Sequence, residues 1–163
     1  MKKLSILTLT LIALSGFIAT TLRAQNPHFL RCSASGVNSD GTLTACFKIA
    51  GLGSNRTLDV TPSVHADAIY ACKNHGQQCP NAANRVDVQS DNVGATSTFT
   101  SVNGQIAACL VIDPPPTSLT CPSGQELVLV SVTYTNVSVS EPGAGSCNPT
   151  RQTFEANFFP NCP

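Results

Sequence analysis

Apolar and polar residues alternate with a period of two along most of this chain, and helical periodicity is almost absent. Leu43, Ala45, Phe47 and Ile49 alternate with Thr42, Thr44, Cys46 and Lys48. Val64, Ala66, Ala68 and Tyr70 alternate with His65, Asp67, Ile69 and Ala71. Val128, Val130, Val132 and Tyr134 form the longest stripe. Leu127 and Leu129 make its start apolar on both faces, which predicts a central strand covered from both sides. Shorter candidate strands are Phe29–Ser35, Arg56–Thr61, Arg85–Ser90, Ala95–Val102, Gln105–Ile112 and Thr150–Phe158. One short helix is predicted, around Asn81–Arg85 behind Pro80.

Turn signals separate these runs at the spacing of a sandwich or barrel. Asn103-Gly104 predicts a type I′ hairpin, because both residues tolerate positive φ. That hairpin pairs Val102 with Gln105, Phe99 with Ala108 and Thr98 with Cys109. It puts Phe99, Ile106, Ala108, Leu110 and Ile112 on a core face. Asp113-Pro114-Pro115-Pro116 ends the strand and predicts a rigid, extended connector. Glu141–Gly145 reads as the most flexible surface loop. The expected fold is all-β: a single disulfide-stapled, immunoglobulin-like β-sandwich of about seven to nine strands. A small β-barrel is the alternative.

Lys2 and Lys3 precede an apolar run, Leu4–Ile18, that is too short to span a bilayer comfortably. Ala24 stands at the expected cleavage point. Residues 1–24 therefore read as a signal peptide and 25–163 as one mature β-sandwich domain. The expected location is secreted, either extracellular or in the periplasm and cell envelope. Removing Lys2, Lys3 and Arg23 leaves six basic against nine acidic residues, a net charge of −3. The charges are scattered without a basic stripe, so no nucleic-acid partner is expected, and no membrane span after processing.

Eight cysteines in an exported chain point to up to four disulfides. They are Cys32, Cys46, Cys72, Cys79, Cys109, Cys121, Cys147 and Cys162. A five-residue loop, Val37–Gly41, places Cys32 directly opposite Cys46 and favours that pair. Cys147 and Cys162 bracket the last strand and could pair across it. Cys72 could close a small loop with Cys79, and Cys109 another with Cys121. The competing set is Cys72–Cys121 with Cys79–Cys109. A zinc site built on Cys72, His75 and Cys79, with His65 or His28, lacks a Cys-x-x-Cys pair and competes with disulfide formation. No metal or cofactor is expected.

Catalytic sets are thin. The nucleophile elbow G-x-S-x-G and a Gly-rich phosphate loop are both missing from the sequence. The nine acids are scattered singly, and there is no tryptophan to stack a sugar. His28 lies near the mature N-terminus, and His65 reads as a solvated strand residue. His75, in a cysteine-flanked loop, is the one histidine placed like a general base. Asn55-Arg56-Thr57 and Asn136-Val137-Ser138 match the N-glycosylation pattern, a chance match in a chain this rich in Asn, Ser and Thr.

Several stretches carry a resemblance. They are Phe47–Gly53 (FKIAGLG), Ala71–Asn74 leading to Pro80–Asn84, Asn103–Ile106, Cys121–Gln125 (CPSGQ) and Ser131–Val137 (SVTYTNV). In this order the chain resembles a group of small, uncharacterised secreted bacterial proteins. The resemblance implies an exported β-sandwich and a Cys72–Cys121 bridge, and it carries no activity. The leading expectation is therefore a non-enzymatic structural or binding module whose partner is a protein or a glycan. Lys73, Asn74, His75, Gln77 and Gln78, in the Lys73–Asn84 loop, are the candidate contact residues, with Glu141–Asn148 as a second loop. A hydrolase using His75 and a disulfide-rich inhibitor are the alternatives.

Overall fold

The structure is a computed structural model, and it describes residues 26–74, 76 and 84–160. Among these residues, nine strands form two sheets. In chain order they are β1 (His28–Val37), β2 (Leu43–Ala50), β3 (Thr57–Asn74), β4 (Arg85–Val93), β5 (Ser97–Thr100), β6 (Gln105–Ile112), β7 (Gln125–Glu141), β8 (Gly145–Cys147) and β9 (Thr153–Asn157). The small sheet runs β1-β2-β6. The large sheet runs β4-β3-β7-β8, with β5 also paired to β3 and β9 to β7. The architecture is all-β and sandwich-like, two sheets rather than one closed barrel.

The predicted stripes fill the space between the sheets. Leu43, Ala45, Phe47 and Ile49 face Val60, Val64, Ala66, Ala68, Tyr134 and Phe154 across one core. Phe47 makes edge-on contacts with Phe29 of β1 and Phe99 of β5, at centroid distances of 6.3 and 5.3 Å. Such aromatic pairs each add roughly 0.5–1.5 kcal/mol beyond their buried area.

β7 is central, as its two-faced start predicts. Leu129 packs on the main core, while Val130 packs with Ala71, Ile69, Val128 and Phe159 in a second cluster. The stripe read as Val128, Val130, Val132 and Tyr134 is split by a register shift opposite Ile69 and Tyr70: Val132 and Tyr134 face the main core, whereas Val128 and Val130 lie in the second cluster. A second shift, opposite Ser63 and His65, coincides with Asn136 at φ 56°. It brings Val137 inward only three residues after Tyr134.

β3 is one strand where the sequence reads two. Its inner stripe, Leu58, Val60, Pro62 and Val64, continues unbroken through the proline. Pro62 sits between two partners on one side: β5 ends at the Val60–Ser97 pair and β4 begins at Val64–Val93. Gly94 packs directly on Pro62 in this gap. A Cβ there would come within 2.5 Å of the Pro62 carbonyl oxygen, which only glycine avoids.

The Asn103-Gly104 turn forms, with Val102 and Gln105 joined by hydrogen bonds in both directions. The hairpin ladder beyond it does not. β5 leaves for β3, pairing Leu58 with Phe99, and β6 leaves for β2, pairing Cys46 with Cys109. The turn thus carries the chain from the large sheet to the small one. The core face is nevertheless as expected, because Ile106, Leu110 and Ile112 are buried and Phe99 and Ala108 pack against them. The short helix read at Asn81–Arg85 falls mostly outside the described residues, and Arg85 opens β4.

Three disulfides join described cysteines: Cys32–Cys147, Cys46–Cys109 and Cys72–Cys121. The Cys32–Cys46, Cys147–Cys162, Cys72–Cys79, Cys109–Cys121 and Cys79–Cys109 pairings are thereby corrected. Cys79 and Cys162 lie outside the described residues. The reason for the first correction is a slip in register. Irregularities between Phe29 and Arg31 and between Ala34 and Val37 put Cys46 opposite Ser33, and Cys32 opposite Phe47. One residue of slip reverses the face. Cys32 then packs on the core and reaches the other sheet, while Cys46 looks outward toward Cys109. Three bridges suit an oxidising compartment. No helix among the described residues is long and apolar enough to cross a membrane.

Candidate functional site

The Lys73–Asn84 loop leaves the far end of the large sheet, between β3 and β4. Its stem is held from three directions. Cys72, fully buried, is bridged to Cys121 in the segment that leads into β7. The β3–β7 ladder continues to the rim of the loop, pairing Lys73 with Glu126 and Asn74 with Gln125. On the return side, the Asn84 amide donates to Gln125 Oε1 at 3.4 Å. Lys73 Nζ stands 4.9 Å from the ring centroid of Phe159, a cation–π contact worth roughly 0.5–1 kcal/mol at an exposed position. Asn74 Oδ1 accepts from the Gly76 backbone N–H at 3.1 Å, which starts the turn.

Of the five candidate contact residues, the structure therefore places Lys73 and Asn74 at the rim. His75, Gln77 and Gln78 lie outside the described residues, and with them the base of the hydrolase reading. Phe159 was not foreseen as part of this end. Its backbone N–H, like that of Phe158, donates to the Val130 carbonyl, which lays the C-terminal segment over the second apolar cluster beside the stem.

The second loop is not the flexible stretch its Gly and Pro content suggests. Glu141 is buried, and its Oε2 accepts the Gly143 and Ala144 N–H groups at 2.7 and 2.5 Å. One oxygen of this buried carboxylate is thus committed to closing its own turn. β8 follows at once and pairs with β7.

His65 does lie on the outer face of the large sheet, as read, but it is not simply solvated. Its Nδ1 is 2.5 Å from Asp91 Oδ1 on β4, and its Nε2 is 3.3 Å from Asp67 Oδ2 two residues along β3. Sequence could have offered Asp67, which shares the face at i+2. Asp91 comes from another strand and gives no such signal. A neutral imidazole has one N–H, so it can donate to only one of the two acids, whereas the cation donates to both. The hydrogen bond that the imidazole donates to Asp91 is the main cause that holds the His65 pKa above its ordinary value, and the negative charges of Asp67 and Asp91 add to it. As the cation, with both N–H groups directed at carboxylates, His65 has no lone pair to offer a substrate.

A pH dependence follows. The folded pKa lies above the unfolded one, so the stabilisation from this cluster is fully present below about pH 6.5 and fades as pH rises through the raised value. Titration of the imidazole by NMR is expected to show a midpoint above 6.5. Asp91→Asn should lower that midpoint more than Asp67→Asn, and equal drops would contradict the geometry.

A third feature lies on the outer face of the small sheet, where a shallow depression of about 410 Å³ is lined by Arg31, Lys48, Ala107 and the Cys46–Cys109 bridge. Among the described residues no group of three or more His, Cys, Asp or Glu side chains is arranged to hold a metal ion. No protein-family model matches the chain, and no curated protein matches it.

Proposed function

We propose that this chain is a secreted, non-enzymatic binding module, an immunoglobulin-like sandwich that presents the Lys73–Asn84 loop to a protein or glycan at the extracellular or envelope surface. The observation that carries this reading is the stem. A disulfide at Cys72, a continuous ladder and a cation–π contact at Lys73 brace the departing end of the loop, and a side-chain amide bond from Asn84 braces its return. Bracing of this kind lowers the entropy lost when a loop is ordered against a partner, and that is how a rigid scaffold gains affinity. The residues of the apolar run behind Lys2 and Lys3 support export, as does the disulfide content.

The test is binding of the processed chain to a glycan array and to a panel of purified envelope proteins. A Lys73→Ala/Gln77→Ala/Gln78→Ala variant that stays folded, its melting temperature lowered by no more than the lost Lys73–Phe159 contact accounts for, is expected to lose at least about tenfold in affinity, or roughly 1.4 kcal/mol. Undiminished binding by that variant would sink the assignment to this loop. Turnover of a bound glycan that His75→Ala abolishes would replace the binding reading with the hydrolase.

A further inference from the structure

The Cys46–Cys109 bridge differs from its two companions in where it lies and in what surrounds it. Cys72 is buried at the loop stem, and Cys32 packs against the core. Cys109 is the one exposed residue among the six bridged cysteines. Its bridge lies across the outer face of β2 and β6, between residues that already oppose each other in a ladder of eight consecutive pairs, Leu43–Ile112 to Ala50–Gln105. The bridge is therefore redundant for the local register. The strands stay aligned by backbone pairing and by the buried stripe beneath them.

The charges around it are harder to explain structurally. Arg31 and Lys48 are direct cross-strand partners between β1 and β2. Like charges at that position are destabilising. Neither makes an ion pair among the described residues. In a chain whose mature form carries net negative charge, two cations are thus set side by side at the rim of a depression whose floor is a disulfide. Lys48 lies two residues from Cys46 on the same strand and face, about 7 Å along the strand. A cation at that range stabilises a thiolate and attracts an anion.

We propose that Cys46–Cys109 is a thiol–disulfide exchange site for small anionic thiols, of the class of carboxylate-bearing peptide thiols. The incoming thiolate attacks the Sγ of Cys109, the exposed residue of the pair. A mixed disulfide forms between that sulfur and the thiol, the Cys46–Cys109 bond breaks, and Cys46 leaves as a thiolate beside Lys48. A second thiolate attacks the thiol's own sulfur in the mixed disulfide and releases Cys109. The two thiols are oxidised to their disulfide, the bridge takes up two electrons, and the two protons end on Cys46 and Cys109. Arg31 and Lys48 hold the carboxylates of the incoming thiol and lower the charge cost of the departing sulfur.

The experiment uses the full processed chain, with glutathione as the anionic thiol and cysteamine as a cationic one of similar reactivity. Free thiols are trapped by alkylation at successive times and located by peptide mapping, with Cys79 and Cys162 read on their own peptides. Cys46 and Cys109 are expected to open at least about tenfold faster than Cys32, Cys72, Cys121 and Cys147, with the first adduct on Cys109. Arg31→Gln/Lys48→Gln should slow glutathione several-fold and leave cysteamine unchanged or faster. If the double variant is poorly folded, added salt on the native chain supplies the same reading, slowing glutathione but not cysteamine. Opening of another bridge first, simultaneous opening of all three, or equal charge effects on the two thiols would each overturn the proposal.

Discussion

Replacing Cys32 and Cys147 together by alanine is expected to be the most damaging of the three bridge removals, costing about 4–5 kcal/mol. The loop it closes spans 115 residues, against 63 for Cys46–Cys109 and 49 for Cys72–Cys121. Because loop entropy grows only with the logarithm of length, those separations differ by less than about 1 kcal/mol in the unfolded chain. The ranking is decided in the folded state. Cys46–Cys109 duplicates a backbone ladder within one sheet. Cys72–Cys121 ties a segment to a strand of the same sheet that it enters. Cys32–Cys147 joins β1, an edge of the small sheet, to β8, an edge of the large one.

Without that bridge, the edge of the sandwich between β1 and β8 loses its covalent tie, while the other side keeps the Asn103-Gly104 turn between β5 and β6. Cys32 also packs on the core, so alanine loses apolar contact as well as the bond. Urea unfolding of the three paired Cys→Ala variants, under non-reducing conditions, should therefore rank Cys32/Cys147 last in stability. A Cys46/Cys109 variant that proved equally weakened would refute both this ranking and the redundancy assigned to the β2–β6 bridge.

The misplacement of Cys32 shows what alternation can and cannot reveal. Buried faces were legible because Leu43, Ala45, Phe47 and Ile49 obey a period of two without interruption, and so does the inner face of β3. The pairing of strands was not. Register in β1 turns on two irregularities, one beside Leu30, a residue left 52% exposed. No side-chain pattern announces such a bulge in advance, since its effect is to break the pattern.

The same holds for Asn136 in β7, whose positive φ shifts the inward set from Tyr134 to Val137. The Asn103-Gly104 turn was local and came through. The ladder inferred from it failed because β3 and β2 offered longer apolar partners to the two arms. Of the candidate loop, the rim residues Lys73 and Asn74 were readable from the end of a stripe and a cluster of turn formers. The Phe159 contact was not, because 86 positions of chain separate it from Lys73 and only tertiary folding brings them together.

Tyr134→Ala is expected to remove about 4–8 kcal/mol, enough to leave the domain near the limit of folding. Tyr134 is wholly buried in the middle of β7, flanked in the ladder by Ala66 of β3 and Phe154 of β9. Truncation of an aromatic side chain there opens a cavity in the main core, at about 3–5 kcal/mol. Its hydroxyl reaches the opposite sheet, donating at 2.8 Å to the Gly41 carbonyl in the β1–β2 turn. Gly41 is held at φ 89° against the Leu129 side chain, in a turn closed by its own N–H donating to the Asn38 carbonyl at 3.0 Å. The orphaned carbonyl then adds about 1–3 kcal/mol.

Tyr134→Phe separates the two losses, because it keeps the ring and sacrifices only the bond. It should cost about 1–3 kcal/mol in urea unfolding. The alkaline limb offers a second check. Burial is the main cause that raises the Tyr134 pKa above its ordinary value of 10.0, so the phenol contributes stability that is intact below pH 10 and is lost as pH climbs through the folded value. Wild type should therefore weaken more steeply above pH 10 than Tyr134→Phe. Tyr70, whose hydroxyl donates to the Pro115 carbonyl at 2.8 Å, will leave a residual slope in both. Parallel alkaline profiles for the two proteins would mean that the Tyr134 hydroxyl is not closed off from water, and the cross-sheet bond to Gly41 could not then be the anchor described.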